Sequence, residues 1–282
     1  MGLRVNTNVA SLNAQRNLYN TVTKFHKSME RLSSGMRINR SGDDAAGLAI
    51  SESLKSDIRA MQQASRNAAD GISLVQVAEG ALDEVNNILL RIRELAEQAA
   101  TETLGEQERN YLDQEYQELL AEVDRISATA EFNGIKLLDG TAGSLDVQVG
   151  IGTDVNTSAV SIDLTSPMDT TQLGLIGTSL VGSPLDGGDT ARALMGTIEA
   201  ATGTVSQLRA GFGAAQNRLE TSIRSIGMTA ENLAAANSRI RDVDVALETS
   251  NMTSLQILQQ AGVSILGQAN VSAQLALNLL QG

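Results

Sequence analysis

The amino-acid sequence predicts a mainly α fold: an elongated antiparallel helical bundle, or coiled-coil rod, with a small β-hairpin region in the middle of the chain. Three observations predict it. Apolar residues recur at helical spacing towards both ends of the 282 residues. The only two prolines, Pro167 and Pro184, fall in the middle, so nothing forbids long helices on either side of them. The composition holds 35 alanines, no tryptophan, three Tyr and three Phe, which suits thin, closely approaching helices better than a thick globule.

The elements follow in chain order. Val5, Val9, Leu12, Leu18, Val22, Phe25, Met29 and Leu32 mark a first helix with one apolar stripe. Ser33-Ser34-Gly35 breaks it, and Ser41-Gly42-Asp43-Asp44 reads as a new helix start. The strongest stripe runs from Leu54 through Ile58, Met61, Ala64, Ala68, Ile72, Val75, Ala78, Leu82, Val85, Leu89, Ile92 and Ala96 to Ala99. Its thirteen steps over 45 residues average 3.46, near the coiled-coil value of about 3.5. A turn at Leu104-Gly105 leads to a shorter stripe at Leu112, Tyr116, Leu119, Val123 and Ile126, an antiparallel neighbour. Asn133-Gly134 is a hairpin turn signal. Leu145, Val147 and Val149, then Val160, Ile162 and Leu164, alternate with polar residues as half-buried strands do. Helical spacing returns from Leu194 to Leu219, continues to Leu247, and ends with Leu258, Ala261, Ile265, Leu275 and Leu279. The two halves bury each other only if the chain folds back so that its ends meet. The stripes at 5–32 and 258–279 then lack an obvious partner within one chain, which points to other copies.

The sequence offers little chemistry. Zero cysteines excludes disulfides, thiolate nucleophiles and thiol-bound metals. The single histidine, His26, sits on a surface helix and cannot form a multi-histidine metal site. The acids Glu106, Glu108, Asp113, Glu115, Glu118 and Glu122 are spread around one helix and read as a solvated face. Gly150-Ile151-Gly152 lacks the rest of a nucleotide-binding motif. No cofactor, metal or catalytic residue is expected, and the chain does not read as an enzyme. Charge is uneven: residues 1–42 hold seven basic residues against one acid, and residues 43–140 eight against twenty. The net charge of −12 argues against nucleic acid as a partner. The last 34 residues carry no charged side chain, yet Ser, Thr, Asn and Gln recur among them, so they suit protein contact and not membrane insertion.

Several blocks resemble bacterial flagellin. They are Val5-Asn-Thr-Asn-Val-Ala-Ser-Leu-Asn-Ala-Gln-Arg-Asn-Leu18, Leu32-Ser-Ser-Gly-Met-Arg-Ile-Asn-Arg-Ser-Gly-Asp-Asp-Ala-Ala-Gly-Leu-Ala-Ile50, and Ala68-Ala-Asp-Gly-Ile-Ser-Leu-Val-Gln-Val-Ala-Glu-Gly-Ala-Leu82. Phe132-Asn-Gly-Ile-Lys-Leu-Leu138, Glu231-Asn-Leu-Ala-Ala-Ala-Asn-Ser-Arg-Ile-Arg-Asp-Val-Asp244 and Gln259-Gln-Ala-Gly262 extend the likeness towards the other end.

That resemblance implies a structural subunit that self-assembles into the helical flagellar filament for swimming motility; the alternative is a hook–filament junction protein. It implies D0 terminal helices (1–43 and 239–282) forming an inner tube. A D1 helical rod (44–140 and 190–238) would surround it, with 141–189 a short β and loop segment of D1 and the outer D2 and D3 domains absent or vestigial. The expected polymerisation interface is Val5, Val9, Leu12, Leu18, Val22, Leu258, Ile265, Leu275 and Leu279. Arg91, Leu95 and Glu115 match a surface that binds Toll-like receptor 5 in the family. Here Leu95 would lie at the edge of the core stripe and be buried by a neighbouring subunit, with Arg91 pairing an acid there. The implied partners are other copies, an export chaperone, the type III export apparatus, cap and hook-associated proteins, and that host receptor. The implied location is the secreted, extracellular filament, in keeping with the lack of an apolar leader segment in positions 1–20.

Overall fold

A computed structural model describes residues 7–182 and 188–281, with side chains as far as Val271. The order of elements is α1 (Val9–Ser34), α2 (Ala45–Ala99), α3 (Glu106–Thr129), β1 (Glu131–Phe132), β2 (Ile135–Lys136), β3 (Gly143–Gln148), α4 (Val155–Ser158), β4 (Ala159–Leu164), α5 (Asp189–Arg241) and α6 (Val245–Gln281). The fold is mainly α with two small antiparallel hairpins, as the periodicities predict.

Local signals explain most of the boundaries. Asn8 caps α1 by accepting from Ser11 N–H, and Gly35 ends the helix in the left-handed conformation (φ 71°) that a Cβ disfavours. Asp44 opens α2 by accepting from Gly47 N–H at 2.9 Å. Asn133 (φ 50°) and Gly134 (φ 79°) form the two-residue turn between β1 and β2, which pair Phe132 with Ile135. In the second hairpin Leu145 faces Ile162 and Val147 faces Val160. Val160, Ile162 and Leu164 are buried while Ser161 and Asp163 between them are exposed.

The chain forms two compact units, Asp57–Glu231 and the two ends together (Met1–Ser56 with Asn232–Gly282). The division falls within α2 and α5.

In the unit of 57–231, α2 is the central helix. Val75, Ala78, Leu82, Val85, Leu89, Ile92, Ala96 and Ala99 are fully buried, together with Ile198, Val205 and Leu219 of α5. Tyr116, Leu120 and Val123 of α3 join the same cluster. Arg209 of α5 reaches Glu79 and Asp83 of α2.

The segment 165–182, read from sequence as loop, is a strap that closes over α3. Met168, Leu173, Leu175 and Leu180 insert into the core. Asp124 accepts from Thr170 N–H at 2.8 Å and from its hydroxyl at 3.0 Å. Asp113 accepts from Leu180 N–H at 2.7 Å and Ser179 Oγ at 2.9 Å. The Tyr116 hydroxyl bonds Thr178 Oγ1. Asp113 is therefore not part of a solvated acidic face: it satisfies backbone that the strap would otherwise bury unpaired.

In the unit of the two ends, α1 and α6 pack antiparallel. Asn8 Nδ2 donates to Ala269 O at 2.8 Å, and Arg31 Nη1 stands 3.7 Å from Glu248 Oε2. The helices α1 and α6 thus find a partner in each other within the chain, although Leu258, Ala261 and Ile265 of the expected α6 stripe stay exposed. At the far end of α1 the chain segments cross: Arg37 N–H donates to Arg241 O and Val243 N–H to Gly35 O. This crossing occupies the break between α5 and α6, which no glycine or proline announces. Arg241 also bonds Glu52 and Ser51.

Candidate self-assembly surface

The contact between α1 and α6 has a clear seven-residue period. On α6 the residues with reduced exposure are Glu248, Met252, Leu255, Gln259, Gly262, Leu266 and Ala269, spaced alternately four and three. On α1 they include Ser11, Ala14, Leu18, Val22, Phe25, Ser28 and Leu32. Helices approach closely where Leu18 lies over Gly262: a Cβ added there would sit 3.2 Å from Leu18 Cδ1.

This seam divides the expected interface in two. Leu18 and Val22 face α6 and are half-buried. Val9, Leu12, Leu258 and Ile265 point away and stay 64%, 55%, 57% and 61% exposed. Val5 and the side chains of Leu275 and Leu279 lie outside the described residues. Leu258 and Ile265 are thus not the α6 residues that meet α1; Leu255, Gly262 and Leu266 are. The physical reason is that α6 is apolar on several sides. Leu247, Ile257 and Val263 are also more than half exposed, so periodicity alone could not select the inward face.

An apolar helix surface of this extent, uncharged beyond Glu248, is what an association surface requires. Leu12 and Tyr19, seven apart on α1 and both exposed, add a second outward line.

The second expected site lies in the unit of 57–231. Arg91 on α2 donates to Glu115 on α3, with Nε at 2.9 Å and Nη2 at 2.8 Å from Oε1, and to Glu94 at 2.9 Å. The two carboxylates raise the Arg91 pKa above its ordinary value, Glu115 contributing first through its hydrogen bond. The acid that pairs with Arg91 thus belongs to its own chain and not to a neighbour. Leu95 is fully buried, which corrects its placement at an edge awaiting a partner. Leu95 belongs to the same buried cluster as Tyr116, Leu120 and Val123 of α3, so the covered face of α2 is wider than its central stripe. Glu115 remains 44% exposed and Arg91 49%.

Among the described residues no cluster of three or more His, Cys, Asp or Glu could hold a metal ion, and no helix is long and apolar enough to cross a membrane. A hollow of about 380 Å³ between β4 and α5 joins apolar Phe212 and Met168 to Asp163 and Arg218 without a reactive constellation.

Known proteins give this arrangement a family. The model of the bacterial flagellin N-terminal helical region matches residues 5–143, and that of the C-terminal helical region matches residues 195–280. The chain is 46% identical over 277 residues to the flagellin of Halalkalibacterium halodurans, covering 98% of this chain and 99% of the relative. It is 41% identical over 291 residues to the flagellar filament 33 kDa core protein of Treponema phagedenis, again covering 98% and 99%. A solved structure described as a hook-associated protein from Vibrio parahaemolyticus superposes with a TM-score of 0.58, covering 71% of this chain and 100% of that one. At 16% sequence identity that likeness concerns the fold alone.

Proposed function

The chain belongs to the bacterial flagellin family, and on that footing we propose that copies of it assemble into the flagellar filament through the outward apolar flanks of α1 and α6. The observation that carries this reading is the exposure of Leu247, Ile257, Leu258, Val263 and Ile265 on a helix already packed against α1. Each apolar Å² left in water forgoes roughly 25 cal/mol of burial. Among the described residues, no further element of the unit of the two ends covers these side chains. Repeated heterologous contacts between copies bury them and, because such contacts need not close a ring, extend into a filament.

The filament reading places the chain outside the cell, after export through the type III apparatus with its chaperone, and brings it against cap and hook-associated proteins at the filament's ends. Arg91 and Glu115 stay accessible for contact with a neighbouring copy or a host receptor such as Toll-like receptor 5. Leu95 would affect either contact only by holding α2 and α3 in place.

The test is assembly of Leu258→Asp and Ile265→Asp variants, viewed by electron microscopy. Each puts a carboxylate into a packed contact, where desolvation costs several kcal/mol. Both variants should keep their helical circular dichroism, since these positions are exposed in one chain, and neither should form long filaments. Normal filaments from both would overturn the reading. A short assembly of limited length from the unaltered chain would instead favour the hook–filament junction.

A further inference from the structure

Glu248 is the last charged side chain in the sequence, and it is turned inward: only 7% of the residue is exposed. It sits in the first turn of α6 on the face that meets α1. Opposite it, near the end of α1, Arg31 places Nη1 3.7 Å from Oε2, while its Nε is buried without a hydrogen-bond partner. Lys24 and Lys27 line the same hollow of about 320 Å³ together with Ser28, so the charged side chains that α1 brings to it are all cationic. Lys27 is drawn off to Asp43, at 2.6 Å.

The other α6 residues of the seam are Met252, Leu255, Gln259, Gly262, Leu266 and Ala269, all uncharged. A seam of small, apolar and amide side chains discriminates poorly, because it packs against α1 or against the same face of another α6. The hazard is real for a helix that also exposes Leu247, Ile257, Leu258, Val263 and Ile265 and is present in many copies. Glu248 removes the degeneracy. Two α6 helices paired in parallel through this face would bring Glu248 against Glu248 with no cation between them. An antiparallel α6 pair would leave each Glu248 against the uncharged half of the other helix. Both outcomes strand a buried carboxylate, whereas α1 offers Arg31. It does so in the antiparallel sense alone, because Arg31 is near the end of α1 and Glu248 near the start of α6.

We propose that the Arg31–Glu248 pair selects the partner of α6: it commits the inner face of α6 to α1 of the same chain and refuses α6 of other copies. Its role is choice and orientation, which a charged group in an apolar seam supplies even where it adds little net stability. The inference stands on the geometry of the α1–α6 pair and not on the form of the assembly, so it can fail while the filament reading holds, and the reverse.

The absence of native cysteine makes the choice directly measurable. An ideal Cβ on Gly262 lies 3.8 Å from Leu18 Cβ, the usual separation across a disulfide. The full chain carrying Leu18→Cys with Gly262→Cys reports pairing within a chain, and Gly262→Cys alone reports pairing between α6 helices of two copies. With Glu248 present, mild oxidation should give an intrachain disulfide in the first and leave the second a monomeric thiol. In a Glu248→Leu or Glu248→Gln background, Gly262→Cys should become a disulfide-linked dimer and the intrachain yield of the double-cysteine chain should fall. Exchanging the charges, Arg31→Glu with Glu248→Arg, should return both reporters to their original behaviour. Glu248→Gln keeps the side-chain shape and guards against misfolding in the leucine variant. Gly262→Cys remaining monomeric in both Glu248 backgrounds would overturn the proposal, as would a charge-exchanged chain that dimerises as freely as Glu248→Gln.

Discussion

Arg91 of α2 grips one oxygen of Glu115 on α3 from two nitrogens, at 2.9 and 2.8 Å, while Leu95, one turn along α2, is fully buried in the core that α2 and α3 share. Residues four apart on one helix thus do different things. The ion pair is half exposed and open to solvent screening, so it orients the two helices without contributing much to their stability. The leucine is a packing residue.

Substitution should separate the two. Leu95→Ala should lower the stability of the unit of 57–231 by about 2–5 kcal/mol, the usual range for a truncated buried leucine. Arg91→Ala should shift the same denaturation midpoint only slightly, and less at high salt. Urea titrations followed by circular dichroism measure both. An Arg91→Ala loss as large as that of Leu95→Ala would mean that the pair carries the interface. A receptor-signalling defect in Leu95→Ala would need correction for unfolded protein before being read as lost contact.

The strap over α3 gives a second prediction. Asp124 and Asp113 each accept from a backbone N–H and a hydroxyl of the segment 165–182. Hydrogen bonds to a charged acceptor contribute roughly 1.5–3 kcal/mol. Asp124→Ala should release the turn at Thr170, and Asp113→Ala the end at Leu180. Hydrogen exchange should speed up around Met168–Leu175 in the first and around Thr178–Leu180 in the second, leaving α5 protected. Uniform loss of protection across the unit in either variant would show that the strap is part of the global fold and not a separately held element.

These carboxylates also show where the sequence stops being legible. The long stripe of α2, the Asn133-Gly134 turn and the alternation of β3 and β4 are set by local chemistry and one buried face, so periodicity and turn residues reveal them. The strap is fixed by contacts 46 to 67 residues distant in the chain, made by acids that look solvated on their own helix. Leu95 reads as an edge residue because a stripe shows that a helix has a covered face but not how wide the cover is, and here it is wide enough to bury Leu95 fully. On α6 the difficulty is reversed. With apolar residues on several flanks, Leu258 and Ile265 fit a helical period as well as Leu255 and Leu266 do, and only the position of α1 decides between them. The break at Asp242–Asp244 carries no Gly or Pro; Asp244 caps α6 by accepting from Leu247 N–H at 3.0 Å, and backbone bonds to Gly35 and Arg37, remote in sequence, hold the rest.

The final prediction concerns acid. Asp43 sits in the turn between α1 and α2, where Lys27 Nζ lies 2.6 Å from Oδ1 and the N–H groups of Asn39 and Arg40 each donate to Oδ2 at 3.2 Å. The Lys27 hydrogen bond is the largest influence and the Arg40 N–H the next. Together they take the carboxyl from its ordinary 3.8 down to about 2. A carboxyl lowered in the folded chain binds fewer protons there than in the unfolded chain across this interval. Its contribution is therefore fully present above the unfolded value and is lost as pH falls from about 4 to about 2. Asp139 and Asp163, each hydrogen-bonded by the threonine two residues on, are lowered as well, but they belong to the other unit. Asp43→Asn should thus destabilise the unit of the two ends at neutral pH and flatten its acid limb. The difference between parent and variant in urea midpoint should be constant above about pH 5 and should shrink towards pH 2. A difference that stays constant down to pH 2 would show that Asp43 acts by shape and not by charge.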